Sequence, residues 1–319
     1  MKMKALLIDK ITSGDDVMLT DTDVPALEPG EVLIKVKAFG LNHSEQILRQ
    51  GEINAPYIKK PVIPGIECIG EICESNGSPF RKGQMVAALM GGMGRNFNGS
   101  YAEYVAMPVH HVFGIKDNHL SLSELAAVPE TWFTAFGSLF GGLHLSGKDT
   151  LLIRGATCAL GYTSIMIARA VGARVIATTH KEEKLKQIKD IEAVVDDGCL
   201  SEKMRNRGIN KIFDLVGPKY LKDSMSVLTA GGFICSSGIL GGESVIHDFY
   251  PITDIPNGVF LTSFYSNYPS QKNMDEILDF IEKYKLKPPV GRVFEFKNLK
   301  DAIRAQDSGT VEGKIVVLI

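Results

Sequence analysis

Long apolar runs, paired cysteines and blocks of one charge are all missing from this sequence, and each absence closes off a class of protein. No apolar stretch reaches the length of a membrane span, and the opening MKMKALLIDK has too short an apolar core for a secretory leader. The five cysteines, Cys68, Cys73, Cys158, Cys199 and Cys235, are odd in number and scattered, with no C-x-x-C pair. They make no disulfide framework or cysteine-rich metal lobe and read as free thiols, most of them buried, in a reduced cytoplasmic setting. The net charge is −2, with acids and bases interspersed. That leaves no basic footprint for nucleic acid, and Lys181–Lys189 reads as a solvated helix face. There is no internal repeat or low-complexity segment, and 319 residues are enough for two domains.

Glycine is scarce at one telling place. In Leu151–Gly161, read LLIRGATCALG, an apolar run stops at Arg154-Gly155 and a helical pattern opens at Gly161-Tyr162, running to Val171. A strand, a small-residue turn and a helix start suit the phosphates of a dinucleotide. The helix N-terminus offers unpaired N–H groups and a partial positive charge. The three positions of the usual G-x-G-x-x-G fingerprint are Ala156, Cys158 and Gly161. Alone, the stretch also fits an ordinary strand-to-helix turn that binds nothing. Its surroundings favour the dinucleotide. Strand patterns follow at Arg174–Thr178, Ala193–Val195, Ile212–Leu215, Gly232–Ser236 and Val259–Ser263. Helical patterns lie between most of them, at Glu182–Ile188, near Met204 and at Tyr220–Leu228. Six alternating strands predict an α/β domain with a doubly wound parallel sheet.

That sheet sets a cofactor-binding list. Ala156, Thr157, Cys158, Leu160 and Gly161 form the phosphate turn. Val216, Gly217, Ser237 and Gly238 end the fourth and fifth strands, where ligands border the crevice. The Cys158 side chain is expected to push the phosphates outward or to demand a slightly different loop. The second strand leads into Thr178-Thr179-His180-Lys181, with no acid before Glu182. Selection of NAD usually places Asp or Glu there. Hydroxyls followed by cations suit a 2′-phosphate, so NADPH is the expected cofactor, held by Thr178, Thr179 and Lys181, with Lys184 a further candidate. Lys181 and Lys184 also read as a solvated helix start.

Residues 1–119 have a β-rich texture. Strands are expected at Met3–Ile8, Glu31–Phe39, Gly70–Cys73, Met85–Leu89 and Tyr101–Ala106, separated by Gly- and Pro-rich turns, in an irregular barrel. Gly91-Gly92-Met93-Gly94 with Asn98-Gly99 reads as a mobile loop or an exposed hairpin. Leu122–Phe140 is helical. The tail (helix Asn273–Tyr284, strand Val293–Phe296, helix Leu299–Ser308, strand Lys314–Leu318) is expected to return to the first domain. The domains are therefore 1–119 with 269–319, and 120–268.

Five stretches in this order resemble the medium-chain dehydrogenase/reductase superfamily. They are Glu31–Val36 leading to Gly40-Leu41-Asn42, Pro64-Gly65-Ile66-Glu67-Cys68-Ile69-Gly70, Gly99-Ser100-Tyr101-Ala102-Glu103-Tyr104, Ala126-Ala127-Val128-Pro129 with Thr134-Ala135, and Gly313-Lys314-Ile315-Val316-Val317. The resemblance implies a GroES-like barrel plus a Rossmann domain. In the superfamily's zinc branch the catalytic ligands fall where this chain has Asn42, Ile66 and Glu130, so the chain looks like the zinc-free quinone oxidoreductase branch. That branch implies hydride transfer from NADPH to a quinone or α,β-unsaturated carbonyl. Asn42 and Thr134 would be its catalytic residues, Ile47 and Tyr104 would line the substrate pocket, and Lys314 would join the cofactor set. Asn42 can equally bond its own turn, and Thr134 its own helix. His43 reads as a surface histidine or a proton donor. An enoyl-thioester reductase and a non-catalytic NADPH-binding protein are the alternatives, and pairing through Val259–Ser263 would give a homodimer.

Overall fold

The alternation of apolar and polar residues in the first hundred positions folds as strands in the computed structural model, which describes residues 1–319. β1 (Lys2–Leu6) pairs antiparallel with β2 (Leu19–Asp23). β3 (Glu31–Gly40) buries Val32, Ile34, Val36 and Ala38 as its alternation requires, and Leu33 and Phe39 besides. α1 (His43–Gln50) follows at once. Its start is an unexpected capping box in which the Asn42 side chain takes the Glu45 backbone and the Glu45 carboxylate takes the Asn42 N–H. Next come β4 (Glu67–Glu74), β5 (Met85–Leu89), β6 (Tyr104–Pro108) and β7 (Val112–Gly114). The sixth strand starts later than expected because the Tyr101 N–H is turned to the Pro64 carbonyl.

The glycine-rich loop is tied down instead of being loose. Arg95 pairs with both Glu52 carboxylate oxygens (2.9 and 2.7 Å) and donates to the Ser44 carbonyl. The Ile63 N–H donates to Asn98, and Met93 is buried. The expected long helix is broken by Pro129, which has no N–H to continue it. α2 (Leu122–Ala126) ends before it, α3 (Pro129–Phe136) starts on it, and Gly137–Gly142 winds as a π-turn.

The next stretch contains β8 (Thr150–Arg154), α4 (Ala159–Ala170), β9 (Arg174–Thr179), β10 (Glu192–Val195) and α5 (Leu200–Lys203). It continues through β11 (Lys211–Asp214), α6 (Leu221–Ser226), β12 (Phe233–Ser236), α7 (Pro251–Asp254) and β13 (Phe260–Ser263). The six strands are all parallel in the order β10-β9-β8-β11-β12-β13. This is the doubly wound sheet, with its switch point between β8 and β11. Leu152, Ile176, Ile212 and Ile234 bury one face under Leu200, Met204, Leu221 and Met225. The expected helix at Glu182–Ile188 is a short 3-10 segment, Glu182–Gln187.

The tail forms α8 (Gln271–Tyr284), β14 (Val290–Glu295), α9 (Leu299–Ser308) and β15 (Lys314–Leu318). It rejoins the first strands in the order β14-β15-β3-β4-β5-β7, with β6 also on β3. β15 runs antiparallel to β3 with Val316 opposite Gly40, which brings Lys314 to the end of β3. The chain divides into two units, Met1–Phe133 with Ser266–Ile319, and Thr134–Tyr265. The first boundary lies beyond the expected residue 119 because α2 packs on β3, β4 and β15. No helix is long and apolar enough to cross a membrane.

Candidate functional site

In the second unit, the loops at the carboxyl ends of β8, β9, β11 and β12 are packed together. Gly155, at φ +83°, turns the chain out of β8, and the Ala156 N–H donates to the Thr178 carbonyl. A side chain on Gly161 would strike the Ala156 backbone, so glycine is needed where α4 meets the turn. A side chain on Gly217 would strike the Gly238 carbonyl, and one on Gly238 the Leu215 backbone. The Val216 and Gly217 N–H groups both donate to the Asp214 carboxylate, at 2.9 and 2.7 Å. The Ser237 hydroxyl bonds that of Ser138. Ala156, Thr157, Cys158, Leu160, Gly161, Val216, Gly217, Ser237 and Gly238 therefore belong to the loops at one edge of the sheet.

Side chains of this edge are engaged by the protein itself. The Cys158 thiol is turned into the loop. It is the N-cap of α4, accepting from the Gly161 N–H at 3.4 Å and donating to the Gly155 carbonyl at 3.6 Å. Burial pushes the thiol's pKa up and keeps it neutral. Thr178 and Thr179 do not face a phosphate. β9 extends through Thr179, both residues are fully buried, and their hydroxyls bond the Gly155 N–H and the Thr157 hydroxyl. Lys181 is exposed at the end of that strand.

The first unit holds a buried polar cluster at the end of β3. Asn42, Glu45, Glu67, Thr131 and Lys314 are all inside it. The Lys314 ammonium donates to Asn42 Oδ1 (2.5 Å), Thr131 Oγ1 (2.8 Å) and Glu67 Oε1 (2.7 Å). These three acceptors use all three of its donors. Asn42 Nδ2 donates to Glu67 Oε1 at 2.9 Å and, over a longer 3.4 Å, to Glu45 Oε1. Glu67 Oε2 accepts the Glu130 N–H, and Glu45 accepts the N–H groups of Asn42 and Ile66. Burial raises the Glu45 pKa from 4.5 to about 7, against the lowering effect of Lys314.

The expected cofactor contact of Lys314 is corrected only in this respect: its ammonium has given all three donors to protein groups within the first unit. Tyr104, half-buried, lies opposite Lys35, five residues before Gly40 along β3, roughly 16 Å away at strand spacing. Ile47 sits half-buried on α1, Thr134 is buried on α3, and His43 is exposed with its ring on Gln46. Glu45 and Thr131 were missed. The Asn42-x-x-Glu45 spacing is a capping-box signal for Glu45, whereas nothing local announces Thr131.

A zinc ion does not fit this donor set. Asn42 offers an amide, Ile66 is apolar, and no group of three or more His, Cys, Asp or Glu side chains gathers here or elsewhere.

The fold and these two regions place the chain in a class of nicotinamide-dependent oxidoreductases. Residues 28–117 match the family described as alcohol dehydrogenase GroES-like domain, and residues 186–317 match that described as zinc-binding dehydrogenase. The chain belongs to the medium-chain dehydrogenase/reductase superfamily. It is 28% identical to an NAD-dependent alcohol dehydrogenase of Sulfolobus acidocaldarius, covering 99% of this chain and all of that protein. It is 26% identical to mouse (Mus musculus) quinone oxidoreductase over 96% of this chain and 95% of that one. The solved quinone oxidoreductase of Coxiella burnetii shares the fold at a TM-score of 0.84 and 21% identity, with both chains fully covered.

Proposed function

We propose that this protein is a zinc-independent, NADPH-dependent reductase that delivers a hydride to a quinone or an α,β-unsaturated carbonyl. The observation that carries this reading is the donor set at Asn42. An ammonium saturated by three protein acceptors stands among residues that cannot assemble a metal site. Alcohol oxidation needs a stabilised alkoxide, and this set of side chains offers no Lewis acid for it. A conjugated acceptor is easier, because the charge it gains spreads onto a remote oxygen. Bound NADPH supplies the hydride.

The chain's own residues bind and orient. Gly155, Ala156 and Gly161 let the phosphate turn and the start of α4 come close to a pyrophosphate. Lys181, with no acid before it at the end of β9, favours a 2′-phosphate over a free ribose hydroxyl. The longer of the two Asn42 Nδ2 bonds, to Glu45, is the one an acceptor oxygen would replace. Thr134 on α3 is assigned to the nicotinamide ribose or amide.

The test is NADPH consumption by protein dialysed against a zinc chelator, with a panel of quinones, enones and simple alcohols. Turnover of quinones or enones, unchanged by chelation, is the expected result. Activity that is lost on chelation and regained with zinc, or that is confined to alcohols, contradicts the reading.

A further inference from the structure

We propose that the Lys314 ammonium is the resident cation of the Asn42 site and its positioning residue. It neutralises Glu67 and fixes the neighbouring polar groups, tasks that a metal ion would otherwise perform. The proposal rests on the zinc-free reductase reading above. It starts from space. A side chain on Gly40 would collide with Lys314 Cε and lie 2.5 Å from Glu67 Oε1, so glycine at the end of β3 clears the place where ammonium and carboxylate meet. The register of β15 on β3 then delivers Lys314 to it.

Each of the three contacts fixes something different. The bond to Asn42 Oδ1 decides the amide's orientation, because the carbonyl faces the ammonium and Nδ2 must turn toward Glu67 and Glu45. The bond to Glu67 balances a carboxylate that is fully buried. The bond to Thr131 fixes the rotation of α3, on which Thr134 is three residues further and so on the same face. Without the ammonium, Asn42 Oδ1 loses its donor, and the amide is held only through Nδ2 by carboxylates that are no longer balanced.

The test is the Lys314→Ala variant, with propylammonium added to refill the space. Kinetics and thermal unfolding are both read. The variant is expected to lose about 10- to 100-fold in kcat, as positioning groups at such sites do, while its KM for NADPH changes less than about twofold. Propylammonium is expected to recover kcat and raise Tm in a saturable way. Tetramethylammonium, with no N–H to donate, is expected to do neither. Wild-type kcat in the variant, or a loss that no primary ammonium recovers in either readout, overturns the proposal. Should Lys314→Ala fail to fold, the charge-balanced pair Lys314→Met with Glu67→Gln decides. It should fold and stay at least about tenfold slow, and a wild-type rate would overturn the assignment. If the wild-type protein turns over no acceptor, the reductase reading alone has failed, and the Tm response to propylammonium still decides whether the cation is built into the site.

Discussion

Among the buried cations of this chain, Arg154 in one unit and Lys314 in the other are held in different ways. Arg154, at the end of β8, spreads its planar guanidinium over Asp196 (2.7 and 2.9 Å), Asp223 (2.9 Å), the Ser224 hydroxyl and the Tyr220 carbonyl. Its ring-facing side lies 5.0 Å from the Tyr220 ring centroid. Its partners are the residue after β10 and the start of α6, so Arg154 is a clamp. Lys314 is a point charge set among an amide, a hydroxyl and a carboxylate, and beside it stands Glu45, a second carboxylate that no cation directly pairs. A guanidinium that satisfies several backbone and acidic groups at once stabilises a fold. An ammonium that decides the direction of one amide sets up a site.

The largest expected effect sharpens that contrast. Arg154→Met strands Asp196 in the interior and should cost about 3–5 kcal/mol of stability. Lys314→Met should cost a similar amount by stranding Glu67. The two should part in kinetics, with Arg154→Met keeping its kcat per folded molecule below its Tm. Equal kcat losses in the two variants would erase the distinction between clamp and site.

Next in size is the pH response of Glu45. Its pKa is raised from 4.5 to about 7, so the folded chain holds this proton more tightly than the unfolded chain does. Stability contributed by this group therefore falls as pH rises from about 4.5 to about 7. The resulting penalty, on the order of 3 kcal/mol, is complete above that range. Glu45→Gln should flatten the slope in urea melts between pH 5 and 8. Parallel slopes for variant and wild type would assign the pH response to other groups. The smallest effect belongs to Cys158→Ala, which removes the cap of α4 and should cost about 1 kcal/mol. Its NADPH affinity should stay near that of the wild type, since the thiol faces the helix and not the ligand.

Much of the fold could be read in advance because it is encoded locally. The alternation in β3 and the apolar bursts of β8, β11 and β12 need no distant partner to be recognised, and the parallel sheet follows from their spacing. The site was less legible because its chemistry is settled by distant pairs. Asn42 meets Lys314 only after β15 has come back to β3. Read locally, that lysine is one more cation in a closing strand. Thr178 and Thr179 looked available for a phosphate, yet β9 runs on through both and its neighbours take their hydroxyls. Arg154 read as the stop of an apolar run, whereas the fold buries it completely. Glu45 was signalled by its spacing from Asn42, but a capping box says nothing of the ammonium beside it.

The proposed reductase chemistry depends on the dinucleotide edge, where only one fingerprint glycine remains. The most direct measurement is therefore calorimetric titration of the purified protein with NADPH and, in parallel, with NADH, repeated on Lys181→Glu. The account predicts binding of NADPH at least about tenfold tighter than NADH, a preference of about 1.4 kcal/mol, which Lys181→Glu abolishes. Binding of neither nucleotide, or a preference for NADH that Lys181→Glu leaves untouched, would contradict it.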